Sequence, residues 1–277
     1  MRQAELSPYR VRARNTSAYA ENKIHDDAVA RRLGFRGGLV PGVTIYAYMT
    51  HPVVAALGPE WLERGAFSVR FRRPVYEGDM LTITARETAR AEASITREVT
   101  ALNPEGEACA LGTAALVRGS RPEIPKLAAY PKAPLPAARP AATRERLADL
   151  EVLGSPELPA DPSEAAAYLD EVDEPLALYR EPGAPAHPGL FVRQANRALD
   201  RNVLMGPWIH VSSNVRHLGL WRAGEPLATC GRVARLWEKN GNEYVELDLL
   251  MVGEGLRPVA HVRHRCIYKI AEGELSV

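Results

Sequence analysis

The chain has 277 residues, with 35 Lys and Arg against 34 Asp and Glu, for a net charge of +1. Its 46% hydrophobic and 25% charged residues are those of an ordinary globular protein and exclude a disordered, collagenous or coiled-coil chain. The balanced charge carries no basic excess for neutralising phosphates and argues against a nucleic-acid partner. The longest apolar run falls well short of the roughly 20 residues that cross a bilayer.

In chain order, the opening MRQAELSPYRVRAR lacks the apolar core of a signal peptide. Cys109, Cys230 and Cys266 are odd in number, widely spaced and form no CxxC pair. These features predict a reducing, cytoplasmic compartment and no metal site of the zinc-finger type. Tyr9–Arg14 reads as a strand. Asp26 or Asp27 is placed to cap a short helix over 27–33, which Gly34 closes. Val43–Leu57 is apolar nearly all round, which predicts a buried helix, with a kink or early stop at Pro52. Ala66–Val75, Leu81–Arg90, Ala93–Leu102 and Ala108–Val117 read as a strand meander, with Gly78-Asp79 as a turn.

Between Arg118 and Pro188 lie 13 of the 22 prolines. Such density forbids a continuous helix or central strand, so 119–145 is expected to be an extended connector. Short helices are expected near Arg144–Leu150 and Ser163–Glu171, the second opened by Asp161-Pro162. The segments on either side match. Gly42 and Gly189 each open an apolar run, and Gly78-Asp79 and Gly224-Glu225 follow 36 and 35 residues later. Each half then has two long strands (Leu227–Trp237 and Glu243–Val252 in the second), a Gly turn and a last strand, Pro258–Ile270 in the second half. The landmarks stay offset by 146 to 149 residues, which marks an internal duplication. The repeated unit is one buried helix and an antiparallel sheet, an α+β arrangement whose two copies can join sheets edge to edge.

The run Asn22-Lys23-Ile24-His25-Asp26-Asp27, followed by Ala30, Gly34-Phe35-Arg36-Gly37-Gly38 and Pro41-Gly42, resembles the MaoC-like (R)-specific enoyl-CoA hydratase family. The later Arg70-Phe71-Arg72-Arg73-Pro74-Val75-Tyr76-Glu77-Gly78-Asp79 matches a second motif of that family, in the same order and at similar separation. The resemblance covers about the first 80 residues. It implies a tandem (double) hotdog, with a motif-bearing hotdog over 1–118, the connector over 119–175 and a degenerate hotdog over 176–277. It further implies an acyl-CoA or acyl-carrier-protein thioester as ligand, no cofactor beyond coenzyme A within the substrate, and a possible homodimer. His25 matches the family's catalytic His, Asn22 its Asn, Asp27 its second Asp, and Gly42 the Gly whose N–H holds the thioester oxygen. The family's catalytic Asp, five residues before the His, falls on Ala20; Glu21 is the candidate to reach its place. Val43 at the helix start and Arg70 and Arg72 on one strand face are the candidate substrate contacts, the arginines for coenzyme A phosphates.

The chemistry so implied is water addition to a 2-enoyl thioester. It needs a base for water, an acid for the α carbon, and N–H donors for the enolate-like oxygen. A thioesterase on the same scaffold, or a non-catalytic acyl-CoA binder, are the alternatives. Against the first, Val43–Leu57 holds no acidic residue. In the second half, His187 stands before Pro188-Gly189. Strict alternation in WIHVSSNVRH would put His210, Ser212, Asn214 and Arg216 on one face and Ser213 and His217 on the other. No GxSxG, GxGxxG or GxxxxGK[ST] occurs, so serine-hydrolase, dinucleotide and P-loop readings have no support.

Overall fold

The structure, a computed structural model, describes residues 6–119 and 122–271. Residues 120–121, at the head of the connector, and both chain ends lie outside the described part. Ten strands form one antiparallel sheet: β1 (Tyr9–Arg12), β2 (Ala66–Phe71), β3 (Met80–Ala91), β4 (Ser94–Leu102), β5 (Ala108–Val117), β6 (Glu157–Leu158), β7 (Ile209–His217), β8 (Leu227–Lys239), β9 (Asn242–Val252) and β10 (Pro258–Lys269). Their spatial order is β1-β3-β4-β5-β2-β7-β10-β9-β8-β6. The helices are α1 (Asp27–Arg32), α2 (Gly42–Arg64), α3 (Arg144–Ala148), α4 (Pro162–Glu171) and α5 (Gly189–Asp200).

The duplication is visible in this order. β2–β5 pack on α2, and β7–β10 pack on α5. The halves meet where β2 pairs with β7, from Ala66 opposite Arg216 to Arg70 opposite Ser212. Each edge strand thus completes the other's hydrogen-bond ladder, which removes two exposed edges. The two helices touch each other inside the curved sheet.

Apolar residues all round α2 are explained by this enclosure: Val43 to Thr50, then Pro52, Val53 and Val54, are all buried. Two expectations for this helix need correction. It runs through Pro52 and past Leu57, and the break falls at Gly58, where φ is +66°. Proline costs one intrahelical bond, but surrounding burial holds the helix together; the positive φ that glycine permits is what interrupts it. The last turn then buries Trp61 and Leu62.

The alternation expected in β7 also fails, for a local reason. Arg265 of β10 faces Ser212, but the next residue, Cys266, faces His210, so Val211 is an extra residue. This β-bulge shifts the side-chain phase. His210 and Ser213 consequently both face the core and are buried, together with His217, while Asn214 is exposed.

The Pro-rich segment is strapped over the outer face of the second half. Tyr130 packs with Leu218, Cys230, Leu250 and Val252, and its hydroxyl donates to buried Asp248 at 2.9 Å. No helix among the described residues is long and apolar enough to cross a membrane.

Candidate active site

His25 ends a single 3-10 turn, Lys23–His25, opened by Asn22, whose Oδ1 accepts from Ile24 N–H at 3.2 Å. Ile24 is buried against Ala30 and Leu39 and anchors the turn. The main chain around His25 is fixed from several sides. Asn15 Nδ2 donates to the His25 carbonyl at 2.8 Å, and Leu39 N–H donates to the Ile24 carbonyl at 3.2 Å. A Cβ on Gly38 would lie 2.1 Å from the His25 carbonyl oxygen, so only glycine allows this approach. Asp26 caps α1 through Val29 N–H at 2.9 Å.

The ring of His25 has one defined state. Its Nδ1 lies 2.7 Å from the Leu39 carbonyl, which can only accept, so Nδ1 carries the proton. Nε2 is then a lone pair, 3.4 Å from Asn22 Nδ2. Burial lowers the pKa of His25, partly opposed by the Leu39 contact. The result is a neutral imidazole with a basic nitrogen free, on a side chain that keeps partial solvent access.

Leu39 leads directly into α2. As the first helical residues, Gly42 and Val43 have N–H groups without intrahelical acceptors, at the positive end of a helix that runs unbroken to the residue before Gly58. Gly42 is partly exposed. A Cβ on it would lie 2.9 Å from His210 Nδ1 and 3.0 Å from Phe71 Cε2. His210 thus reaches this helix head from the second half. Its Nε2 lies 2.8 Å from Ser213 Oγ, which lies 2.8 Å from His264 Nδ1; His264 Nε2 lies 2.8 Å from Asn196 Oδ1. All three β-strand residues of this chain are buried. Sequence reasoning missed it because the bulge at Val211 hides the H-x-x-S juxtaposition.

Asn22 joins the two halves at the same place. Its Oδ1 accepts from Trp208 N–H at 3.2 Å, and its Nδ2 donates to the Trp208 carbonyl at 3.0 Å, two residues before His210. Asn22 thus lies beside His25 Nε2 and bonds the segment that leads into His210, which packs against Gly42. The other sequence candidates lie elsewhere. Glu21, 64% exposed, is paired through both oxygens with Arg139 of the connector, which lowers its pKa. Asp27 accepts from Gly38 N–H at 2.8 Å and pairs with Arg31, which makes it a clamp on the His25 loop. Arg70 lines a hollow of about 440 Å³ on the outer sheet face, away from α2. Arg72 is exposed beyond the end of β2. The two sequence motifs touch each other: Arg36 pairs with Asp79 at 2.6 Å and stacks 4.1 Å above the Tyr76 ring.

The head of α5 is the duplicated counterpart, and it is filled. Gly189 is buried and donates its N–H to His187 Nδ1 at 3.1 Å. A Cβ there would lie 2.0 Å from the Tyr168 hydroxyl. His187 Nε2 rests 3.4 Å from Glu174, a buried carboxylate that also meets His51 of α2 at 2.9 Å. The protein's own side chains occupy this helix head, whereas at the head of α2 Gly42 keeps partial solvent access.

No family profile and no curated protein sequence matches the chain. Its fold does have solved counterparts. It is similar to a conserved hypothetical protein of Mycobacterium tuberculosis described as having a double hotdog fold (13% identity, TM-score 0.66, 96% of each chain). It is also similar to a Chloroflexus aurantiacus protein described as a "putative MaoC domain protein dehydratase" (12% identity, TM-score 0.60, 98% of this chain and 96% of that one). A third counterpart is a Lactobacillus plantarum protein described as "oleoyl thioesterase (putative)" (12% identity, TM-score 0.56, 98% of each chain). The chain is a double hotdog, in the arrangement found in MaoC-like dehydratases.

Proposed function

We propose that the protein acts on acyl thioesters, adding water to a 2-enoyl thioester or removing it from the 3-hydroxy product. The observation that carries this reading is a neutral His25, its Nε2 without a hydrogen, bonded through Nδ1 to Leu39 in the segment that leads into the partly exposed glycine head of α2. The thioester oxygen sits on the Gly42 and Val43 N–H groups, where negative charge develops as the double bond is attacked. His25 Nε2 takes a proton from water as the oxygen bonds to C3, and the resulting imidazolium returns a proton to C2. The net change is one water per enoyl thioester, with the thioester bond intact. The absence of any carboxylate along Val43–Leu57 supports hydration over thioester hydrolysis.

The test is a panel of trans-2-enoyl-CoA esters, with enoyl absorbance and free thiol followed in parallel. Enoyl loss without thiol is expected; thiol release would replace this reading with a thioesterase. Two further outcomes follow from the geometry. Because His25 must be neutral and its pKa is lowered, kcat/KM should stay flat near neutrality and fall only below the ordinary imidazole range, as a pH–rate profile would show. Gly42→Ala should cost roughly 10²-fold in kcat/KM, since its methyl displaces His210 and Phe71 at the helix head. An unchanged unfolding midpoint would place that loss in the site and not in the fold.

A further inference from the structure

The buried chain from His210 to Asn196 is not used by the reaction above, yet it ends against Gly42 at the head of α2. Its proton order can be read from the acceptor end. Asn196 Oδ1 only accepts, so His264 Nε2 carries a hydrogen. Burial keeps His264 neutral, its pKa pushed down to about 3, so its Nδ1 is bare and takes the Ser213 O–H. Ser213 Oγ then accepts from His210 Nε2–H. Burial and the neighbouring His264 lower the pKa of His210 as well, opposed in part by the Ser212 backbone. The His210 Nδ1 is left as a lone pair, fully buried and without a hydrogen-bond partner, against Gly42. The ring is held there by His264 on one side, at 4.2 Å between centroids, and by the edge of Phe71 at 4.8 Å.

A buried acceptor without a partner is uncommon in folded proteins and points to a donor that arrives with a ligand. The thioester oxygen is itself an acceptor and cannot be that donor. We propose that His210 Nδ1 receives the hydroxyl of the substrate: the O–H of the attacking water that is not broken, which becomes the 3-hydroxyl of the product. Ser213 and His264 are positioning residues that fix which ring nitrogen is bare. This assignment rests on the thioester reading and makes the site selective for 3-hydroxyacyl over plain acyl thioesters.

The test is binding, in the His25→Ala protein so that neither ester turns over. Affinities for 3-hydroxybutanoyl-CoA and butanoyl-CoA are compared by calorimetry. The hydroxy ester is expected to bind more tightly by roughly 10-fold, the range for a buried acceptor gaining its partner. Adding His210→Gln keeps an ε amide toward Ser213 but removes the δ acceptor, and should abolish the preference. Adding His210→Asn places an amide oxygen at the δ position and should retain part of it. Ser213→Ala frees the ring to adopt the other tautomer, visible in ¹⁵N imidazole spectra as a protonated Nδ1. Equal binding of both esters, or a preference that survives His210→Gln, overturns the assignment and leaves the thioester reading standing. Binding of neither ester overturns both.

Discussion

Replacing His25 by Gln should lower kcat/KM for an enoyl thioester by about 10²- to 10⁴-fold, the usual worth of a positioned general base. Affinity for a saturated acyl-CoA should stay within a few-fold. The reason lies in how the loop is held. Ile24 packing, the Asn15 bond to the His25 carbonyl, the Leu39–Ile24 backbone bond and the Asp27 clamp on Gly38 all act on main chain or on neighbours. The bond from Nδ1–H to Leu39 and the longer one from Asn22 Nδ2 to Nε2 are lost with the ring. The variant therefore keeps its fold and the α2 head but has no basic nitrogen beside it. Steady-state kinetics with an unfolding midpoint as control is the measurement. Turnover within threefold of the unaltered protein would remove His25 from the chemistry.

Glu174→Ala should destabilise the protein by about 3–5 kcal/mol, the cost of leaving buried partners of a charge without it. The Glu174 side chain is 2% exposed and accepts from His51 and from Leu176 N–H, each at 2.9 Å, with His187 at 3.4 Å. It stitches α2, the connector and the head of α5 together, and Tyr9 of β1 stacks on His51 at 3.8 Å. Burial pushes the Glu174 pKa up, but the bonds from His187 and His51 outweigh it and hold the value at about 2. A depressed carboxylate pKa contributes stability that is present above the unfolded value of about 4.3 and is lost as pH falls toward the folded value. His187, whose pKa is lowered chiefly by burial, loses stability in the same direction as pH falls through about 6.5. Urea titrations of the unaltered protein and Glu174→Gln should therefore show their widest gap at neutral pH, narrowing below about pH 4. A constant gap between pH 7 and pH 3 would mean that the charge of Glu174 is not what holds the halves together.

The large features of this fold were written in local patterns. The offset glycines marked the duplication, the all-round apolar helix marked the interior, and the edge-to-edge join appears as the β2–β7 pairing. The loop carrying His25 was legible through the short motif that resembles the MaoC-like family, whose residues lie within some twenty positions of one another. What was not legible depends on distance or on a broken period. The buried pairing of His210 with Ser213 requires the bulge at Val211, which alternation cannot foresee. Glu21 is drawn away by Arg139, 118 residues along, and Asn22 bonds Trp208, 186 residues along. Glu174 was not singled out in the sequence, because its partner His51 lies 123 residues away.

The most direct measurement is the carbonyl stretch of trans-2-butenoyl-CoA, ¹³C-labelled at the thioester carbon and bound to the His25→Gln protein. Hydrogen bonds from the Gly42 and Val43 N–H groups should lower its frequency below that of the ester free in water. A bound ester whose carbonyl frequency is unchanged, or raised as in apolar surroundings, would contradict the placement of the thioester at the head of α2.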